Sequence, residues 1–280
     1  MIIPSRWFSG GRGLNKFRNE MLKDNHLSKL VDYSDSRDCF PKVDVAGGVC
    51  YFLWDSNYNG MCEVTNIYQN THNTSIRNLS EFPVFIRHAQ SLSIVRKVLA
   101  HKETLMNETV YNSNPFGFRS FQNGQKHKED NDVELLGSSG FTYVSINDVT
   151  INKNLIPRWK VIMSKASAEH AGQTAQDGRK KIVSRVKVLK PRQICSETYL
   201  LLNTFNTEEE ANNLQDYVKT SFFRFLMSTI LLTQNIAKDK FQFIPMQDCS
   251  IKWTDEMLYE KYNLSKEEID FIESMIRPME

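Results

Sequence analysis

Met1-Ile-Ile-Pro-Ser-Arg-Trp7 runs directly into Ser9-Gly-Gly-Arg-Gly13, and after one helical segment the chain reaches Gly47-Gly-Val-Cys-Tyr-Phe-Leu-Trp54. The first stretch is apolar and extended, ending at Pro4, which lacks an N–H and pushes the residue before it toward β geometry. The glycines that follow permit a tight turn. Leu14, Phe17, Met21 and Leu22 recur at helical spacing, which predicts an amphipathic helix over about residues 12–24. Leu27–Tyr33 reads as a strand, residues 43–54 as a buried strand or hairpin arm, and residues 61–68 as its partner across a turn closed by Gly60. This order, strand, glycine turn, helix, strand, hairpin, is that of an α/β domain entered part-way. Its early strands are expected to lie outside these residues.

Farther along, residues 69–80 are rich in Asn, Thr and Ser and read as a linker or exposed loop. Residues 84–105 carry apolar side chains at helical spacing, and 110–150 are short-stranded and loop-rich. Strands are predicted at 159–163, 182–189 and 198–202. Thr207-Glu-Glu-Glu210 is a capping box with acids in the first turn, and the helix it opens is expected to continue through Phe222, Phe223 and Leu226. Ser265-Lys-Glu-Glu268 is a second capping box, opening a last helix through Ile269, Ile272 and Ile276.

With 40% apolar and 24% charged residues the 280-residue chain is globular in composition and long enough for one large core or two ordinary ones. Its net charge of +2 says nothing about partners, but the distribution does. Between Lys153 and Arg192 there are eleven Lys/Arg against two acids, Glu169 and Asp177, whereas from Thr254 onward eight acids face three bases. A basic middle of this kind points to an anionic partner, against the plainer reading of a solvated face. The five cysteines (39, 50, 62, 195 and 249) are odd in number and form no Cys-x-x-Cys pair, so neither a zinc site nor a disulfide framework is supported. His88, His101 and His170 stand apart from ligand-type neighbours, and no metal site is expected. No run approaches the roughly 20 apolar residues a membrane span needs, and a reducing, cytoplasmic compartment is expected.

Two blocks, Pro4-Ser-Arg-Trp-Phe-Ser-Gly-Gly-Arg-Gly-Leu14 with Phe17-Arg18, and Asp38-Cys-Phe-Pro-Lys-Val-Asp-Val-Ala-Gly-Gly-Val-Cys-Tyr-Phe-Leu-Trp54, resemble the late part of adenine-specific DNA methyltransferases of type II restriction-modification systems, including the fused type IIG enzymes. Asn114-Pro-Phe-Gly-Phe-Arg119, Trp159-Lys-Val161, Glu197-Thr-Tyr199 and Trp253-Thr-Asp255 resemble pieces of their specificity regions. The resemblance implies an α/β fold (α+β overall): an incomplete Rossmann-like methyltransferase sheet over 1–68, then a mixed α+β target-recognition domain over 75–280. It implies duplex DNA as partner and S-adenosylmethionine in the complete enzyme, with cofactor strand and Asn-Pro-Pro-aromatic motif upstream of Met1, on the same polypeptide or a separate chain. No cofactor, catalytic residue or metal is then assigned to this chain. A non-catalytic specificity subunit and a restriction endonuclease of the same system are the alternatives, but the acid cluster and acid-x-Lys pattern of a nuclease are missing.

Asn114-Pro115-Phe116-Gly117 imitates the catalytic motif but lacks the second proline that stiffens it, and a Pro/Gly turn is expected instead. Gly11-Arg-Gly13 partly matches a cofactor loop, with Asp32 about 20 residues on, yet its spacing is incomplete and a tight turn is expected there too. Recognition of DNA needs cations for phosphates and planar donors for base edges. The residues expected to supply such contacts are Phe116, Phe118, Arg119, Arg158, Lys160, Lys165, Gln173, Arg179, Lys180, Lys181 and Arg185, with 165–181 as a flexible loop suited to a groove.

Overall fold

The computed structural model describes residues 1–11, 13–68, 71–169 and 177–279. The chain forms two compact units. The first comprises Met1–Arg96, Glu169–Lys180 and Ser228–Gln234; the second comprises Lys97–Ala168, Lys181–Met227 and Asn235–Glu280.

The first unit is built on a mixed five-stranded sheet. In chain order its elements are β1 (Ile2–Pro4), α1 (Asn15–Lys23), β2 (Leu27–Tyr33), β3 (Val49–Trp54), β4 (Cys62–Tyr68) and β5 (Thr71–Arg77), with α2 (Gln90–Ala100) starting in this unit. The strand order is β1-β3-β2-β4-β5, and only β2 and β4 run parallel. Two local expectations are corrected here. The strands β3 and β4 do not form a hairpin, because β2 inserts between them and pairs with both. Nor are residues 71–77 a linker. They pair along their whole length with β4, from Cys62↔Arg77 to Tyr68↔Thr71, and Thr65 and Thr74 hydroxyls bond across the ladder at 2.9 Å. The composition reads as a loop because β5 is an edge strand, with its polar side chains facing water.

The inner face of this sheet buries Leu27, Leu30, Cys50, Cys62 and Val64 against Trp7, Phe8, Leu22, Phe85 and Leu232. Trp7 and Phe8 lie in a 3-10 turn, Ser5–Phe8, that follows β1. In the middle of this apolar layer sits Asp32, fully buried. Ser5 Oγ donates to its Oδ1 at 2.9 Å and Asn66 Nδ2 to its Oδ2 at 3.0 Å. Arg87 completes the set: its Nη2 lies 3.0 Å from Oδ1 and its Nε 2.7 Å from Oδ2. The same Nη2 also donates to the Gly47 carbonyl at 2.5 Å. Gly48 must be glycine, since its φ is +79° and a Cβ would lie 2.1 Å from the Tyr33 carbonyl oxygen. This close approach lets Gly48 accept from the Ser5 amide at 3.0 Å and ties the start of the chain to the sheet.

The second unit contains α3 (Met106–Thr109), β6 (Asp132–Gly137), β7 (Gly140–Ser145), β8 (Trp159–Ser164), β9 (Val186–Leu189), β10 (Gln193–Cys195), β11 (Tyr199–Phe205), α4 (Glu208–Lys219), α5 (Ser221–Ser228, through Met227), α6 (Asp255–Lys261) and α7 (Lys266–Met275). Two three-stranded sheets, β10-β6-β7 and β11-β8-β9, supply side chains to one apolar cluster that includes Leu135, Ile162, Ile194 and Leu201. The helix α4 packs across β8, β9 and β11. Both capping boxes form as the sequence predicts, on Thr207 with Glu210 and on Ser265 with Glu268. The long helix predicted beyond Thr207 instead breaks at Thr220. There Thr220 Oγ1 accepts from the Phe223 amide at 3.1 Å, and Asp255 takes the Ser221 and Phe222 amides at 2.9 and 2.8 Å. A fresh helix start is therefore capped twice.

The molecule is thus a mixed α/β protein, α+β overall. Replacing Arg87 by Met leaves Asp32 buried without its counter-charge. The expected loss is about 3–5 kcal/mol of unfolding free energy, read as a lowered urea midpoint, whereas Lys29→Ala, which breaks the exposed Lys29–Glu63 pair on the same sheet, is expected to cost less than about 1 kcal/mol.

Candidate nucleic-acid interface

The register of the second unit sorts the basic residues. Strand β8 ends at Ser164, opposite Tyr199 at the start of β11, while Val186 at the start of β9 faces Met163. One end of this sheet therefore carries Lys165, just after β8, Arg185, just before β9, and Glu197 and Thr198, just before β11. The Lys165 amide donates to the Thr198 carbonyl at 3.4 Å and the Ser164 amide to the Arg185 carbonyl at 2.9 Å.

Arg119 joins this end through Glu197. Its Nη1 lies 3.0 Å from Glu197 Oε2, and Glu197 Oε1 accepts from the Ser120 amide at 3.2 Å. That backbone donor, followed by the guanidinium, holds the Glu197 carboxyl below its ordinary range. Lys165 is half-buried and donates from Nζ to Ser113 Oγ at 2.6 Å; burial lowers its pKa although Glu197 opposes the shift. Arg185 is exposed, with Nη1 3.4 Å from the Tyr199 hydroxyl. Arg119 and Lys165 thus act on the Glu197 carboxylate, and Arg185 stands at the same end of the sheet. Arg119 is 61% exposed, so its bond to Glu197 is a solvated pair of small net worth that a phosphate oxygen can replace.

The remaining predicted residues do not gather here. Phe116 and Phe118 belong to the buried core of the second unit and are withdrawn from any groove, which corrects that expectation. The Asn114–Gly117 segment is a turn: Asn114 has φ +62° and Gly117 φ +91°, and Asn152 Nδ2 donates to the Pro115 carbonyl at 2.8 Å. With Phe116 interior, its ring has no face free to stack on a base. Lys160 is also interior, another correction. Its Nζ reaches the carbonyls of Ile156, Arg158 and Lys190 at 3.1, 2.7 and 3.4 Å, so its hydrogens are held by backbone. Arg158 is half-buried near the opposite end of β8, with its buried Nε unpartnered. Arg179 pairs with Asp177 at 3.1 Å, and Lys180 belongs to the first unit with it. Lys181 is half-buried and its carbonyl lies 3.3 Å from Arg224 Nη1. Gln173, with the rest of 170–176 in the 165–181 loop that was expected to enter a groove, lies outside the described residues.

The Gly11–Gly13 turn does not fit a methyl-donor loop. The acid that would hold the ribose, Asp32, already meets Ser5, Asn66 and Arg87, and the preceding β1 is a three-residue strand antiparallel to its neighbour. Among the described residues, no group of three His, Cys, Asp or Glu side chains could hold a metal ion, and no helix is long and apolar enough to cross a membrane. Sequence reasoning missed Glu197, Ser113 and Tyr199 as members of the cationic end, although Glu197-Thr-Tyr199 stood among the motifs already noted. It also missed Arg87, which no local pattern marks.

Comparison with known proteins bears on the first unit. Residues 1–40 match the family described as Eco57I restriction-modification methylase. An "Uncharacterized adenine-specific methylase" of Mycoplasma pneumoniae (strain ATCC 29342 / M129 / Subtype 1) is 38% identical over 61 residues, which is 21% of this chain and 14% of that protein. The type IIG restriction endonuclease BpuSI aligns over 94% of this chain and 42% of its own, at 9% identity and a TM-score of 0.32, a likeness too low to define a shared fold. The N-terminal segment is therefore similar to restriction-modification methylases. The matched stretch is only a small part of the curated relative's length.

Burial pushes the Lys160 amine down to about 8 from its ordinary 10.5. A base with a depressed folded pKa makes the unfolded chain bind more protons between those two values, so its contribution to stability rises as pH climbs from about 8 to 10.5 and is flat below. Lys160→Met is expected to destabilise the protein by about 1–3 kcal/mol through its stranded carbonyls and to abolish this rise. Urea midpoints of both proteins from pH 7 to 10 measure it.

Proposed function

We propose that this chain is the DNA-recognition portion of an adenine-specific methyltransferase of a restriction-modification system. It binds duplex DNA and directs methylation of an adenine amino group by a catalytic part outside these 280 residues, carried on the same polypeptide or on a separate chain. The observation that supports this most is the cationic end formed by Arg119, Lys165 and Arg185, in a chain whose N-terminal segment matches a methylase family. S-adenosylmethionine supplies the methyl group in the complete enzyme.

The part played by these residues is electrostatic and positional. Guanidinium and ammonium groups at the sheet end take phosphates, release counterions and set the register of the duplex. The target adenine must leave the stack to be methylated, and holding the flanking duplex still is what a recognition part contributes to that step. The compartment consistent with this reading is the cytoplasm.

Fluorescence anisotropy with a labelled duplex tests it. The protein is expected to bind with an affinity that falls steeply as salt rises. Arg119→Ala, Lys165→Ala and Arg185→Ala should each weaken binding and make the log–log salt slope shallower by about one unit. Lys153→Ala, on an exposed residue outside the cluster, should do neither. Absence of binding at low salt, or three alanine variants that bind as the parent does, contradicts the proposal.

A further inference from the structure

Glu197 is fastened from several sides. Its amide donates to the Phe118 carbonyl at 2.8 Å, and its Oε1 accepts from the Ser120 amide at 3.2 Å. Phe118 belongs to the buried core, so these two bonds have a fixed footing. The residue before Glu197 is fixed too: Ser196 is fully buried, and its amide donates to the Leu136 carbonyl at 3.0 Å. Arg119 is tethered far less. Its Nη1 meets Glu197 Oε2 at 3.0 Å, and its side chain is 61% exposed against 19% for Glu197. The guanidinium has room to turn toward a duplex in solution, and the carboxylate cannot follow it.

The charge of Glu197 also outlasts the pair. The Ser120 amide, ahead of the Arg119 guanidinium, holds its carboxyl below the ordinary range, and that amide stays in place when the guanidinium leaves. A carboxylate that accepts a backbone hydrogen bond of this kind remains ionised at neutral pH. When Arg119 turns to a phosphate, a fixed negative charge is therefore left behind it, facing a polyanion. Lys165 still attracts that charge, but its Nζ is bonded to Ser113 Oγ. Like charges brought together at an interface cost free energy.

We propose that Glu197 is a built-in competitor of DNA for Arg119, a contact that keeps attachment of this sheet end to phosphodiester backbones weak. The inference rests on the DNA-recognition reading and adds a regulating residue to the same site. Phosphate contacts supply affinity without regard to sequence, and base contacts supply discrimination. Each time Arg119 takes a phosphate, its bond to Glu197 is lost and a carboxylate is left near the DNA. This penalty falls on every duplex. Contacts made elsewhere, to base edges, must offset it before the chain stays bound. Glu197 acts through Arg119 and is a positioning residue, not a group that itself touches DNA.

Fluorescence anisotropy of the full chain with a labelled random-sequence duplex at low salt tests this. Glu197→Gln keeps an acceptor for the Ser120 amide and removes the charge. It is expected to bind about three- to tenfold more tightly than the parent, the range of a solvated ion pair plus the repulsion it leaves behind. In an Arg119→Ala background the same change has no guanidinium to release, and its gain should shrink to about twofold or less. Glu209→Gln, the same charge change at an exposed position past the far end of β11, should bind as the parent does. Glu197→Ala is the second neutral variant should circular dichroism show Glu197→Gln to be unfolded. A gain in affinity that is lost with Arg119 supports the competitor, since a merely structural role for Glu197 predicts weaker binding. Unchanged or weaker binding by the neutral variant, or an equal gain with and without Arg119, overturns the competitor and leaves the DNA-recognition reading standing. A parent protein that binds no duplex overturns that reading, and the competitor with it.

Discussion

The first unit is organised around one buried ion pair. Asp32 and Arg87 lie 55 residues apart in the chain and meet inside an apolar layer. Two charges out of water are expensive to hold, and their attraction offsets that cost only when the geometry is good and other bonds are satisfied. Here Ser5 and Asn66 take the remaining positions on the carboxylate, and the Gly47 carbonyl takes a guanidinium hydrogen. The pair therefore joins the turn after β1, the end of β2, the strand β4, the glycine turn before β3 and the segment leading to α2. Packing alone tolerates substitution among apolar residues, but a network of this kind is satisfied in one arrangement. Gly48 is part of the same constraint, because only a residue without a Cβ fits so near the Tyr33 carbonyl.

In the second unit a different device matters. Antiparallel pairing on both sides of β8 brings three chain positions to one end of a sheet, although they are spread over more than 30 residues. Two of the cations that collect there, Lys165 and Arg185, come from the ends of strands and Arg119 from a loop, rather than from one basic run. At the other end of the same strand, Lys160 is drawn inside by three carbonyls. One short strand thus carries a lysine serving structure near its start and is followed by another available to a partner.

Features written in local sequence were legible before any coordinates. The two capping boxes, the helix around Phe17 and Met21, and the strands Leu27–Tyr33 and Trp159–Ser164 depend on neighbours a few residues away, and the periodicity exposed them. Features set by distant partners were not. The edge strand β5 reads as a linker because water, not a core, faces most of its side chains. The insertion of β2 between β3 and β4 leaves no mark on either strand. Thr220 ends a helix where its own hydroxyl and the distant Asp255 together cap the next one. Phe116, Phe118 and Lys160 looked like surface chemistry because aromatic and basic residues in a basic region have the same letters whether buried or exposed. Part of the cationic end was legible, in Arg119, Lys165 and Arg185, but its acidic organiser Glu197 was not.

The claim on which the functional account turns is that duplex DNA lies on the Arg119–Lys165–Arg185 end of the second unit. Hydrogen–deuterium exchange of the full chain, with and without a duplex it binds, addresses this directly. The account predicts slower exchange in the segments around residues 118–120, 164–166, 184–186 and 197–199 and unchanged exchange in the β6–β7 hairpin at 132–145. Slowing confined to that hairpin, or no slowing at the sheet end under saturating duplex, contradicts it.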